Sequence, residues 1–219
     1  MRAFGTVMKK KLFVLVCTVI LIPGLVACSS QGNSGKGKKH PTTETTTSTT
    51  KKVSKKEQDN PLKDMQQIGN DRVGYVFVPK DWVRFKDLNG SDSYQYSATD
   101  AYTIVTMNGY TKQKLGIGAI DDVVVKQVAD NYFGMMDKTG NFQGLTGSRA
   151  TITDYRTKDS YRAYQVYGAL KSDGKILCAW IFKTKKSDRV YLISLEGNKK
   201  SDAFVKQLAY IETTWSENK

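Results

Sequence analysis

Apolar and polar positions divide the chain into three regimes. Every residue from Leu12 to Ala27 is apolar or small. Between 28 and 60 the one aliphatic side chain, Ala and Pro aside, is Val53, and no Phe, Trp or Tyr occurs. From residue 61 onward the pattern switches between strand and helix periods, and all 12 Tyr and all three Trp lie there. Val73-Gly74-Tyr75-Val76-Phe77-Val78 reads as a buried strand stopped by Pro79, with a second extended piece running on to Phe85. Asp87 to Asp92, with Asn89-Gly90 at its centre, is a turn. Tyr94 to Tyr96 and Tyr102 to Met107 suit two further strands. Ile120, Val124, Val128, Tyr132 and Met135 then recur at helical spacing. Asp121 and Asp122 stand at the end of that helix where its dipole favours acid, and Gly140 and Gly144 close the region. A meander of four strands follows at 148–156, 161–170, 175–184 and 189–195, joined by polar turns such as Ser172-Asp173-Gly174. Ser201 suits the N-cap of a last helix that sets Phe204, Leu208, Ile211 and Trp215 on one face. The fold class is therefore α+β: an antiparallel β-sheet with a helix after the first strands and a C-terminal helix packed on it.

The first regime is an export signal over residues 1–27. Arg2, Lys9, Lys10 and Lys11 precede the apolar run and no acid accompanies them. The run is 16 residues long, short against the roughly 20 that a membrane-spanning helix needs, and Pro23-Gly24 breaks it near its end. Leu25-Val26-Ala27-Cys28 resembles the lipobox of bacterial lipoproteins. That resemblance implies a diacylglycerol on the sulfur of Cys28 and cleavage just before it, leaving Cys28 as lipid attachment site and mature N-terminus. Two acyl chains suit stable anchoring, where one gives only marginal binding. The competing readings are an ordinary secretory signal or an uncleaved anchor. The compact opening Met8-Lys9-Lys10-Lys11 also makes Met8 an alternative start to Met1.

The second regime, 28–60, is a Thr- and Lys-rich tether that buries too little apolar surface to offset its ordering entropy. A flexible coil of this length averages roughly 30 Å end to end. The third, 61–219, is long enough for a single core. Charge follows the same division. The whole chain carries +13, of which the signal holds +4, the tether +4 and the domain +5. A balance that first points to nucleic acid thus belongs largely to export and to a lysine-rich leash. The tether lysines 36, 38, 39, 51, 52, 55 and 56 offer contacts to anionic lipid or wall polymer, or serve only as a solvated spacer.

The domain resembles the Mog1/PsbP-like fold, which includes domains of unknown function in bacterial lipoproteins. The residues that carry the resemblance are Gly74-Tyr75-Val76-Phe77-Val78-Pro79 with Trp82, the 161–195 meander ending in Leu195-Glu196-Gly197, and the Phe204, Ile211, Trp215 helix. Members of that fold include a photosystem accessory protein and a Ran-GTPase-binding protein. The resemblance implies an assembly or interaction module without an active site to transfer.

Few residues offer chemistry. Cys17 leaves with the signal and Cys28 is claimed by lipid, so Cys178 in an apolar run has no disulfide partner and reads as a buried thiol. The single His40 lies in the tether, too little for structural zinc or for His-based catalysis. Asp87, Asn89 and Ser91 begin like a calcium loop, but Asp92 stands where Gly is required and Ala98 where the closing carboxylate belongs. Asn89-Gly90-Ser91 is also a formal glycosylation sequon. Gly116 and Gly118 lack the third Gly of a phosphate cradle, and the two aspartates beyond them repel phosphate. Lys183, Lys185, Lys186 and Arg189 cluster at one hairpin tip, either a solvated turn or an anion site. Tyr94, Tyr96 and Tyr102, with Tyr161, Tyr164 and Tyr167, either pack a sheet face or line an aromatic groove. Asp121/Asp122 and Asp71/Asp81 are the carboxylate pairs available for acid–base work.

The expectation is a lipid-anchored, extracytoplasmic, non-catalytic interaction or assembly module of the bacterial cell envelope. It uses no cofactor or metal, meets the membrane through Cys28, takes an envelope protein as partner and binds no nucleic acid. The alternative is a lipoprotein holding a small molecule, peptide or glycan in the tyrosine groove.

Overall fold

The computed structural model describes residues 62–86 and 93–219. The signal, the tether, Cys28, His40 and the Asp87–Asp92 turn lie outside the described residues. Among the described residues, nine strands and three helices follow in the order β1 (Met65–Asn70), β2 (Gly74–Pro79), β3 (Val83–Phe85), β4 (Tyr94–Ser97), β5 (Ile104–Thr111), α1 (Lys112–Leu115), α2 (Asp122–Thr139), β6 (Phe142–Thr153), β7 (Ser160–Leu170), β8 (Ile176–Phe182), β9 (Arg189–Gly197) and α3 (Asp202–Thr214). Strands β1 and β2 form a separate hairpin, and the other seven make one antiparallel sheet in the order β3-β4-β5-β9-β8-β7-β6. The α+β antiparallel class read from the sequence is the class observed.

The centre of the sheet is buried on both faces, while edge strand β6 is largely exposed. All seven residues of β8 are buried, because its even positions Ile176, Cys178, Trp180 and Phe182 join one core and its odd positions Leu177, Ala179 and Ile181 join another. The odd face is covered by α2, which packs on β6, β7 and β8. The even face is covered by α3 and the β1–β2 hairpin. The two expected helices therefore lie on opposite sides of the sheet.

Local chemistry sets the helix ends. The Asp121 carboxylate accepts the Val124 amide hydrogen at 2.9 Å, and Gly140 closes α2 in a left-handed conformation at φ +65°. Ser201 caps α3 as expected. The buried seam of α2 runs through Val125, Val128, Ala129, Tyr132 and Met136, with Val124 and Met135 only partly buried and Ile120 ahead of the first turn. On α3, Gln207 and Thr214 join Phe204 and Ile211 because both bind the hairpin backbone: Gln207 Nε2 donates to the Phe77 carbonyl at 2.8 Å and the Phe77 amide to Thr214 Oγ1 at 3.2 Å. Strand β6 begins at Phe142, well before the expected 148. Gly144 does not end the helical region; it sits within β6 at φ +59°, where the register shifts between Gln143 and Thr146. Strand β1 carries little sequence signal, since Ile68 is its one fully buried residue.

Trp215 closes the even face. It is wholly buried and meets Phe182 and Tyr191 edge-on at 4.9 Å and Tyr161 at 5.9 Å. Its own backbone carbonyl accepts the Tyr155 amide at 2.7 Å, and the next residue, Ser216, exchanges two backbone hydrogen bonds with Tyr75. Gly74 is required beneath the ring: it has φ +76°, and a Cβ there would lie 2.5 Å from Trp215 Nε1. Removing the indole deletes a large core side chain at a site pinned by backbone on both sides, so the cavity has little room to collapse. Trp215→Ala is expected to cost about 3–5 kcal/mol of unfolding free energy in urea denaturation. A loss below about 1 kcal/mol is the result that would contradict this packing.

A basic cleft as candidate functional site

The sheet ends in a cleft of about 350 Å³ between the first turn of α2, strands β6 and β7, and the segment that leaves β8. Asp122, Val125, Arg149, Ser160, Tyr161, Arg162, Tyr164, Lys183, Thr184 and Lys185 line it. Four cations thus face one carboxylate. The register of the sheet builds this concentration. Arg149 on β6 pairs with Tyr164 on β7, Thr151 pairs with Arg162, and Tyr164 pairs with Ile181 on β8. Directly paired residues project to the same side, so Arg149, Arg162 and Tyr164 share the face that carries α2. The Arg149 guanidinium carbon lies 3.7 Å from the centre of the Tyr164 ring, a cation–π contact that leaves the edge donors of the guanidinium available.

The lysines come from the turn after β8. Lys183 Nζ stands 3.7 Å from Asp122 on α2, and Lys185 Nζ stands 3.6 Å from Asp159 in the β6–β7 turn. Thr184, between them, is buried and donates to Glu217 at 3.2 Å. Glu217 also accepts from the Tyr191 hydroxyl at 2.9 Å, and its amide donates to Asp154 at 3.3 Å. Asp154 in turn accepts the Arg156 and Thr157 amides, fixing the turn that carries Asp159 and Ser160. The chain's final residues therefore set both walls of the cleft mouth. Burial, with a further push from the Glu217 charge against the help of Ser187, holds the Tyr191 hydroxyl in its neutral, donating form.

The four cations expected at one hairpin tip part company. Lys183 and Lys185 enter the cleft, Lys186 is exposed beyond it, and Arg189 instead donates to the Asp71 carbonyl at 2.8 Å in the β1–β2 turn. Arg149 and Arg162 escaped the sequence reading, because only strand register brings them to the lysines. The six tyrosines form no common groove. Strand β4, with Tyr94 and Tyr96, is separated from β7 by β5, β9 and β8. Tyr94 and Tyr96 stack at 5.7 Å with Arg84 over the Tyr94 ring, and Tyr102 sits under Lys175 at 4.9 Å. Tyr161 packs on Trp215, Tyr164 faces the cleft, and Tyr167 is partly exposed. The carboxylate pairs do not converge either: Asp121 caps α2, Asp122 faces Lys183, Asp71 accepts from the Tyr75 hydroxyl at 2.7 Å, and Asp81 lies exposed after β2. Gly116 ends the single turn of α1 at φ +67°. Among the described residues, no helix is long and apolar enough to cross a membrane.

No family model matches the chain, and no curated protein matches its sequence. Solved structures do match. A Bacteroides thetaiotaomicron protein is 13% identical with a TM-score of 0.44, over 71% of this chain and 49% of its own, so this chain spans about half of it. LpqN of Mycobacterium tuberculosis, described as involved in cell envelope biogenesis, is 13% identical with a TM-score of 0.38, over 69% of this chain and 89% of its own. The Ran-binding protein Mog1p of Saccharomyces cerevisiae is 10% identical with a TM-score of 0.37, over 68% and 84% respectively. Mog1, named by the sequence resemblance, is thus among the structures matched. At this level of likeness none of them assigns an activity to the chain.

Cys178 is buried on the even face, and burial followed by the nearby Glu212 charge pushes its thiol up to about 12 from 9.0. The neutral thiol therefore contributes stability that is complete below about pH 9 and lost as pH rises through about 12. Urea unfolding between pH 8 and 11 is expected to show stability falling above pH 9, more steeply in the parent than in Cys178→Ala. Equal slopes would contradict a buried neutral thiol.

Proposed function

We propose that the protein is a lipid-anchored, extracytoplasmic, non-catalytic interaction module whose domain engages an anionic partner of the cell envelope through the basic cleft. In this reading residues 1–27 are the signal, Cys28 carries the lipid, 28–60 is the tether and 61–219 the binding domain. The cleft carries the proposal: four cations and one carboxylate around about 350 Å³ attract and hold an anion. Its lining supplies charge, the Ser160 and Thr184 hydroxyls and two tyrosines, Tyr161 and Tyr164, a set suited to retention. The short apolar run, the Leu25-Val26-Ala27-Cys28 sequence and the absence of acid ahead of it support export and anchoring.

The two cationic regions have separable signatures. An anion that binds the cleft stabilises the native domain and raises its melting temperature, whereas one held only by tether lysines leaves it unchanged. Long-chain polyphosphate is expected to raise the melting temperature of the full chain by a few degrees. Arg149→Ala combined with Arg162→Ala is expected to abolish that rise, while replacing the seven tether lysines with Gln preserves it. No rise in the parent, or a rise that survives loss of both arginines, overturns the cleft as binding site. Cys28→Ala is expected to move the protein from the membrane to the soluble fraction.

A further inference from the structure

We infer that the cleft selects phosphate-bearing ligands and that Asp122 is a built-in counter-anion which the ligand displaces; this rests on the anion-binding reading of the same site. Charge density is the first ground. The lining holds a net charge of +3 around about 350 Å³, and a net +2 remains when Asp159 beside Lys185 is included. A phosphate group offers up to two charges and three acceptor oxygens. Donor geometry is the second. The Arg149 guanidinium carbon is held 3.7 Å over the Tyr164 ring, and the exposed Arg162 on the same face adds a second guanidinium. Forked guanidinium groups match phosphate oxygens two at a time, and lysine serves as a point charge beside them.

The third ground is the state of the existing ion pairs. Lys183 to Asp122 at 3.7 Å and Lys185 to Asp159 at 3.6 Å are both longer than a hydrogen bond, and the Asp122 side chain is 86% exposed. The Lys185 pair is exposed and the Lys183 pair is exposed on its Asp122 side, with Lys183 itself 24% exposed, so both contribute little. They neutralise the lysines loosely and yield to an anion that makes charge-assisted hydrogen bonds. Asp122 also stands in the first turn of α2, where the helix dipole favours a negative charge. A ligand phosphate therefore displaces Asp122 from Lys183 and must outweigh the repulsion of Asp122 and of Asp121, whose carboxylate already caps α2. The volume admits a headgroup or one unit of a polymer and is too small for a folded surface.

The test uses the full chain in detergent micelles, titrated by calorimetry with inorganic phosphate, glycerol 3-phosphate and citrate at constant ionic strength. Both phosphates are expected to bind more tightly than citrate, although citrate carries more charge. Asp122→Asn is expected to tighten phosphate binding by about two- to fivefold through loss of the competing pair. Lys183→Gln and Arg162→Gln are each expected to weaken it about tenfold, and thermal melts of all three variants check that they fold. Citrate binding as tightly as phosphate, or an Asp122→Asn variant that binds no tighter, overturns the inference while leaving the anionic cleft intact. Loss of all anion binding overturns both. Vesicles of phosphatidylglycerol compared with phosphatidylcholine separate the sources: binding that depends on phosphatidylglycerol and falls with Lys183→Gln assigns a lipid headgroup. Phosphate binding in micelles without that dependence assigns a soluble or wall-borne phosphate.

Discussion

The docking of Trp215 under the sheet is the constraint on which the rest of this domain depends. It joins three parts of the chain that are distant in sequence: β8 through Phe182, β9 through Tyr191 and the β7 start through Tyr161. It also fixes the hairpin, since Gly74 leaves no space between backbone and indole. Two residues later Glu217 binds Thr184 and Tyr191, so the same anchor that closes the core holds the lysine-bearing turn. Packing on one face thereby becomes electrostatics at the end of the other. An aromatic core of this density resists collapse when cut, which ties cleft geometry to global stability.

What the sequence made legible was whatever depends on near neighbours. Strand β8 was visible because seven consecutive residues are apolar enough for burial on both faces. The last helix was visible because a capping serine precedes regularly spaced large side chains. Strand β1 was not, since a hairpin resting on one buried Ile68 has no apolar alternation to read. The seam of α2 was placed slightly off because Val125 and Met136 are chosen by the sheet beneath them. The cleft was half legible. Lys183 and Lys185 lie close in sequence, whereas Arg149 and Arg162 reach them only through the pairing of β6 with β7 and β7 with β8. The tyrosine groove failed for the converse reason: similar residues on β4 and β7 are kept apart by three intervening strands.

The charge of the chain also takes on a different meaning in three dimensions. A domain excess of +5 over its whole length is modest. Four of its cations face a single small cleft with Asp122 as the one acidic lining residue, so local density outweighs the total. The carboxylates close by have structural duties. Asp121 and Asp154 cap backbone amides, and Glu217 anchors the turn. Asp122 is left as a loosely held counter-charge 3.7 Å from Lys183, and Asp159, which also accepts from the Thr157 hydroxyl at 3.1 Å, lies 3.6 Å from Lys185.

The most direct test of the account is an NMR titration of the full chain with glycerol 3-phosphate, following the arginine Nε–Hε signals and the backbone amides. Saturable shifts are expected, confined to Arg149, Arg162, residues 183–185 and the first turn of α2. Shifts spread over the lysines of 36–56, or no saturable shift at Arg149 and Arg162, would contradict it.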